Sequence, residues 1–391
     1  MKFKLFTKIT FLKLFRRPLL AGFLGQFTNE LAAKGLNLTT TDLDDSEFLN
    51  GVAMLARSPD GLPPKLFEAL YAVEAMATEE GQQRLELAIE QSPLTATFLA
   101  DSTHAEIALQ AYQADPALFA RKLNEMKLAR LATFEFFTSK LQLDRRKTFK
   151  APDAAMLARM TTDMDAWFRE HNRGMHIAHI EVIEIEGEFW FVIRHGDTYV
   201  RMPAAGPNRQ VEVMHFRPTK DDVVVFAPER DEVRLHAGTK GEKDLYRKVF
   251  GTRLFGDDRH FSERKTYTLD PLRDEGLDAL EPIPGIDRVV AREVAWAWDN
   301  SLHDVHTHAS DDLLASAAEH GPERKVIPPN ARPIKAAFDF YFTGSSKPRK
   351  VVIRLPNGLK LGRHCDARLV HQFLGERQFR VTLNAAGDAA A

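Results

Sequence analysis

One stretch, residues 177–237, constrains the fold most. It is a series of short runs rich in Val, Ile, Phe, Trp and Tyr: 177–185, 189–194, 198–202, 211–216, 223–226 and 232–236. Such residues suit a pleated, half-buried surface. Turn residues separate the runs: Glu186-Gly187, His195-Gly-Asp197, Gly206-Pro-Asn208 and Pro228-Glu-Arg-Asp231. In Val211-Glu-Val-Met-His-Phe216, neighbouring side chains point to opposite faces. Short runs broken by such turns predict antiparallel hairpins. The sheet they form needs a cover on at least one face, and helical patterns on both sides can supply it.

At 391 residues the chain exceeds one small core, and two or three domains are expected. A hydrophobic content of 44% and a charged content of 28% are ordinary for a globular protein. The single cysteine, Cys365, excludes an internal disulfide and fits a reducing, cytoplasmic setting. No apolar run approaches the roughly 20 residues of a membrane span. Residues 1–17 carry six Lys/Arg and no acid, with Arg16-Arg17 ahead of an apolar run. A cleaved signal lacks its small-residue cleavage site here. A basic arm or lead-in to a core helix is preferred over an amphipathic contact with a membrane surface.

The net charge of −2 hides segregation: residues 29–120 hold 4 basic and 15 acidic side chains, and residues 322–380 hold 13 basic and 4 acidic. This asymmetry points to a polyanion partner for the C-terminal part, or to docking of the acidic lobe on the basic one.

The organisation expected is α+β. After the basic arm (1–17), an acidic helical domain covers 18–150. Its helices are expected over 18–33, from 45–46 to before Pro59, over 64–78, 82–91 and 95–113, and from the Asp115-Pro116 cap to about 140. A basic linker, 141–151, leads to a central sheet domain (151–321). That domain opens on a helix over 152–171, and its methionines at helical spacing read as core. Thr239-Lys-Gly-Glu242 fits a capping box. Strands are expected over 264–269 and 286–298, and a helix capped by Ser310. A basic β-β-β-α unit (322–383) follows, with a tight turn at Pro356-Asn-Gly358 and a helix opened by Asp366. Residues 384–391 read as a frayed tail.

Two constellations suggest chemistry. Arg194-His195-Gly196 closes an apolar strand and resembles the Arg-His-Gly signature of histidine phosphatases. The resemblance implies His195 as a phosphorus nucleophile and Arg194 as a phosphate ligand. The same tripeptide suits a hairpin turn, with glycine supplying positive φ and Asp197 bonding locally. The strand expected at 198–202, where that family has a helix, favours the turn. Asp304-Val-His-Thr-His308 resembles the opening metal motif of amidohydrolases and of the polymerase-and-histidinol-phosphatase superfamily. That implies a metal on His306 and His308, with His303 a further ligand. Only 83 residues follow His308, too few for that barrel, and a polar loop is the alternative. Cys365 beside His364 reads as an incidental thiol, and Asp221-Asp222 with Glu232 as acids flanking a strand. No glycine-rich phosphate loop precedes a helix, and no cofactor is implied.

The remaining signal is basic. Lys347, Arg349, Lys350, Arg354, Lys360, Arg363 and Arg368 gather around one hairpin, and Phe338, Phe340 and Phe342 share one strand face. Cations neutralise phosphates, and aromatic rings either stack on bases or form core. The function expected is non-catalytic recognition of nucleic acid, or of a nucleoprotein partner, through this unit. A protein–protein adaptor and a hydrolase using His195 or His306/His308 are the alternatives.

Overall fold

The computed structural model describes residues 4–33, 35, 44–57, 63–90, 101–139, 149–205, 210–262, 264–298, 302, 304–321, 325–362 and 365–381. The class is α+β, and the chain divides into two compact units, 1–131 and 132–391.

The first unit is helical: α1 (Ile9–Leu12), α2 (Arg17–Leu24), α3 (Thr28–Ala32), α4 (Asp45–Arg57), α5 (Pro64–Met76), α6 (Glu79–Glu90), α7 (His104–Ala114) and α8 (Pro116–Ala129). The helix expected over 18–33 is broken by a 3₁₀ turn at Gly25–Phe27. The start expected at 95 falls outside the described residues; α7 itself starts after Thr103, whose capping box with Glu106 fixes that end. Residues 4–17 are not a free arm. Phe6, Phe11, Leu12 and Phe15 are buried in this unit's core, and Glu74 accepts the backbone N–H groups of Lys4, Leu5 and Phe6. Arg16 pairs with buried Glu106 at 2.8 Å and Arg17 with Asp45 at 2.9 Å. Part of the charge asymmetry is therefore compensated inside this unit.

The second unit is built on one antiparallel sheet. Its strands are β1 (Thr133–Ser139), β2 (His179–Ile185), β3 (Glu188–Gly196), β4 (Val200–Ala205), β5 (Val211–Phe216), β6 (Thr219–Ala227), β7 (Glu232–His236), β8 (Phe261–Ser262), β9 (Ile286–Ala297), β10 (Val305–Ala309), β11 (Arg332–Phe342), β12 (Arg349–Arg354) and β13 (Gly358–Leu361). Eleven of them form one sheet in the order β10-β9-β11-β12-β13-β1-β7-β6-β3-β2, with β8 also on β1; β4 and β5 form a separate ribbon. The basic strands β11–β13 are thus continuous with the central sheet through β1. The helices are α9 (Ala154–Glu170), α10 (Lys240–Phe250), α11 (Asp270–Asp274), α12 (Leu313–Glu319) and α13 (Ala367–Glu376).

Three local readings are corrected. The helix opened by Pro116 stops at Ala129, and Thr133–Ser139 is a strand. Residues 264–269 make no strand, only a bridge between Tyr267 and Arg380. The cap of α12 is Asp312, whose side chain accepts from the N–H groups of Leu314 and Ala315, while Ser310 donates to the Asp312 carbonyl.

Strand β1 divides the cover. Phe136 lies in a core with Val351, Ile353, Phe338, Phe340 and side chains of α11–α13. Phe137, on the opposite face, lies in a core with Phe191, Val224, Val233, Leu235 and side chains of α9 and α10. The two halves of the sheet are therefore covered on opposite faces. Phe136→Ala and Phe137→Ala are each expected to lower unfolding free energy by about 3–5 kcal/mol in urea denaturation. A loss under about 1 kcal/mol at either position would contradict this two-sided packing.

Candidate functional site

The half-sheet of β9 and β11–β13 has one face packed under α11–α13 and one face from which long polar side chains rise. Cross-strand pairs share a face. The register sets Lys335 opposite Arg354, Ala337 opposite Val352, Asp339 opposite Lys350 and Val352 opposite Lys360. On β9 the same face carries Ala295, Glu293, Val290 and Arg288, the last opposite Tyr341. Lys350, Arg354, Lys360 and Arg288 are exposed. The acids of this face are engaged: Glu293 pairs with Lys335 at 2.5 Å and Asp339 with Arg292 at 3.2 Å. Among the described residues no carboxylate lies within ion-pair distance of Lys350, Arg354 or Lys360, and Arg288 sits 4.9 Å over the Tyr341 ring.

The other basic residues lie elsewhere. Arg349 points to the opposite face and is half-buried, Lys347 is exposed in the β11–β12 turn, and Arg368 is exposed on α13, the helix covering the other side. Arg363 lies outside the described residues. Phe338, Phe340 and Phe342 are core and offer no ring to a base. Arg288 was missed because β9 is distant in sequence, and Lys335 because it stands at the start of β11, away from the turn, where only the register sets it opposite Arg354.

His195 ends β3 and is fully buried, its ring stacked on Phe168 at 4.3 Å. Nδ1 lies 2.8 Å from the Gly196 carbonyl oxygen and Nε2 3.0 Å from Asp222 Oδ2. Burial raises the Asp222 pKa, but hydrogen bonds from His195 and Tyr246 and the Lys220 charge hold it below the ordinary carboxylate value. Both ring nitrogens thus lie within hydrogen-bond distance of an oxygen, which fixes the ring in place. Tyr246 donates to Asp222 at 2.8 Å, and burial beside that carboxylate pushes the phenol well up. Lys220 bridges Asp222 Oδ1 at 3.0 Å and Glu242 Oε2 at 2.8 Å. Burial lowers the Lys220 pKa, but the two carboxylates raise it overall. Arg173 joins Glu242, at 3.2 Å, to Asp197. The Thr198 N–H, then the Arg173 charge, lowers the Asp197 pKa against slight burial. Lys220 and Arg173 thus join the carboxylates of Asp222, Glu242 and Asp197.

Glu242 is placed here by the capping box of α10, with Thr239 as cap. Gly196 is required by close approach rather than by positive φ: a Cβ there would lie 2.2 Å from the Arg173 carbonyl oxygen. Arg194, on the other face, makes a two-pronged exposed pair with Asp221. Arg194 and His195 therefore do not converge. Lys220 lies on the same strand as Asp222, because β6 begins at Thr219, earlier than the apolar run suggests.

Among the described residues one set of three potential metal ligands converges: His195, Asp222 and Glu242, with ligand atoms within 4.8 Å of one another. The Lys220 ammonium already bridges the two carboxylates and takes up the positive position a metal ion would fill. These donors do not fit a metal. His306 and His308 share a face of edge strand β10. His306 binds Asp304 at 3.1 Å and stacks near Trp296, and no third ligand joins them among the described residues. His303 lies outside those residues. The thiol of Cys365, half-buried, is pushed up to about 11 by burial, which suppresses the thiolate.

No known family model matches the chain, and no curated protein matches it.

The depressed Asp222 pKa gives a signed expectation. Its contribution is complete above the ordinary value of 3.8 and is lost as pH falls through the lower folded-state value. Asp222→Asn removes the buried carboxylate that binds His195, Tyr246 and Lys220 and leaves Lys220 only Glu242, so a loss of about 3–5 kcal/mol at pH 7 is expected. Urea unfolding of both proteins should show this deficit shrinking below about pH 4. A deficit that persists unchanged at pH 2 would contradict the assignment.

Proposed function

We propose that the chain binds nucleic acid through the exposed cations on the face of β9 and β11–β13 opposite α11–α13. The observation that carries this reading is the group Lys350, Arg354 and Lys360: exposed, on one face, and without a carboxylate partner among the described residues. Exposed cations that could pair with nearby acids but do not are available to phosphates. Arg288 and Lys335 extend the row across two more strands. With the phenylalanines committed to the core, binding acts through the phosphate backbone rather than through base stacking, so little sequence preference is expected.

Fluorescence anisotropy with a labelled duplex, titrated across salt, tests this. Three to five contacts give a slope of log K against log salt between roughly −3 and −4.5. The triple variant Lys350→Glu/Arg354→Glu/Lys360→Glu should lose at least about 100-fold in affinity with an unchanged thermal melt, since exposed unpaired side chains contribute little to stability. Arg368→Glu, on the far side, should stay within about threefold of the parent. Absence of binding at 50 mM salt, about the lower end of the range in which such contacts act, would refute the reading.

A further inference from the structure

The ribbon of β4 and β5 extends the β3–β6 hairpin beyond the main sheet. Its root is fixed. The Asp197 N–H donates to the Pro218 carbonyl at 2.7 Å, Arg173 holds the Asp197 carboxylate, and Arg217 donates to the carbonyl oxygens of Asp197 and Asn172. Beyond that root the ribbon carries Tyr199, Met202, Val211, Val213, Met214 and Phe216, each between 37 and 71% exposed. These side chains lie on both faces: Met202 and Met214 pair across one, Pro203 and Val213 across the other. An isolated two-stranded ribbon is at best marginally stable in water, and apolar exposure on both faces marks a surface that meets a partner.

We infer that this ribbon is a dimerisation arm, joining two copies of the chain by antiparallel pairing of their β5 edges. Three features select a second copy. First, the two edges differ. Pro203 lacks an N–H, and a proline in a two-stranded ladder is accommodated with its nitrogen on the outer edge. This closes the β4 side, whereas β5 contains no proline. Second, pairing β5 with β5 is isologous and leaves only the two proline-bearing edges outside. The assembly stops at two instead of growing into a fibre. Third, the strands carry one exposed base, Arg201, and one exposed acid, Glu212, so the arms do not repel. Centring the pair on Val213 sets Glu212 against Met214 of the second copy and Val211 against His215, and no like charges meet. The resulting four-stranded ribbon buries apolar area on both faces, which the single arm cannot do.

Light scattering coupled to size exclusion, with the full chain at tens of micromolar, tests this directly. One chain has a mass of 44.2 kDa, so the dimer has 2 × 44.2 = 88.4 kDa. The parent should run at the dimer mass and Val213→Lys, which sets two ammonium groups across the dyad, at the monomer mass with an unchanged circular dichroism melt. In a Cys365→Ser background, Val213→Cys should be captured as a covalent dimer by a short bismaleimide, and Ala205→Cys on the closed strand should not. A monomeric parent, or a Val213→Lys variant that stays dimeric, overturns the inference. A monomeric parent that co-floats with phosphatidylcholine vesicles overturns it in favour of a membrane surface.

Discussion

Two neighbouring side chains on β1 govern the second unit. Phe136 and Phe137 are each 2% exposed and face opposite ways, so a single strand belongs to two cores. Full burial of such a side chain contributes about 1.5–3 kcal/mol, and neither ring can be exposed without losing it. The chain satisfies both by placing α11–α13 against one face of one half-sheet and α9–α10 against the other face of the other half. A sheet this wide needs cover, yet this arrangement leaves the second face of each half free of those helices. The row of exposed cations opposite α11–α13 lies on the second face of one of these halves. It needs no motif, only the alternation that buries Val351 and Ile353 and turns Lys350, Val352 and Arg354 the other way.

The buried polar cluster around His195 fixes the position of the elements it joins. Moving charges out of water is costly, and replacing such a set by apolar groups is often neutral or stabilising. What it supplies here is direction. His195, Lys220 and Arg173 connect the end of β3, the start of β6, the cap of α10 and the segment after α9. Those four pieces surround the root of the β4–β5 ribbon. A second ion group performs a similar task on the other face. Buried Glu232 accepts from Arg380 and from Arg230, and Arg234 lies between the Phe134 and Trp190 rings at 5.6 and 5.5 Å. Next to it, burial and then the charges of Arg380, Arg234 and Arg230 push the His371 pKa down to about 3, so that imidazole is neutral.

Much of this was legible in the sequence where the signal is local. Capping at Thr239 and Asp366, the turn at Glu186-Gly187, and the hairpins of β2–β3 and β12–β13 follow from residue types at fixed spacings. The errors have one physical origin. Residues 133–139 follow a good helix directly, and Phe134 continues its apolar spacing. Only the vacancy between β13 and β7, partners more than 90 residues away in sequence, makes them a strand. Likewise the gathered cations of residues 347–368 look like one patch in sequence, but the strand period sends Arg349 and Lys350 to opposite faces. The Asp222 partner of His195 was hidden for the same reason: 27 residues separate them, and pairing of β3 with β6 joins them.

The reading that unites these features is that sheet alternation leaves a cationic half-face available to phosphate. Lysine acetylation with mass-spectrometric readout, with and without a short duplex, measures that face directly. The account predicts that the duplex protects Lys350 and Lys360 together while Lys265, distant in sequence and paired with Asp270, stays reactive. Equal reactivity of Lys350 and Lys360 with and without saturating duplex would contradict it.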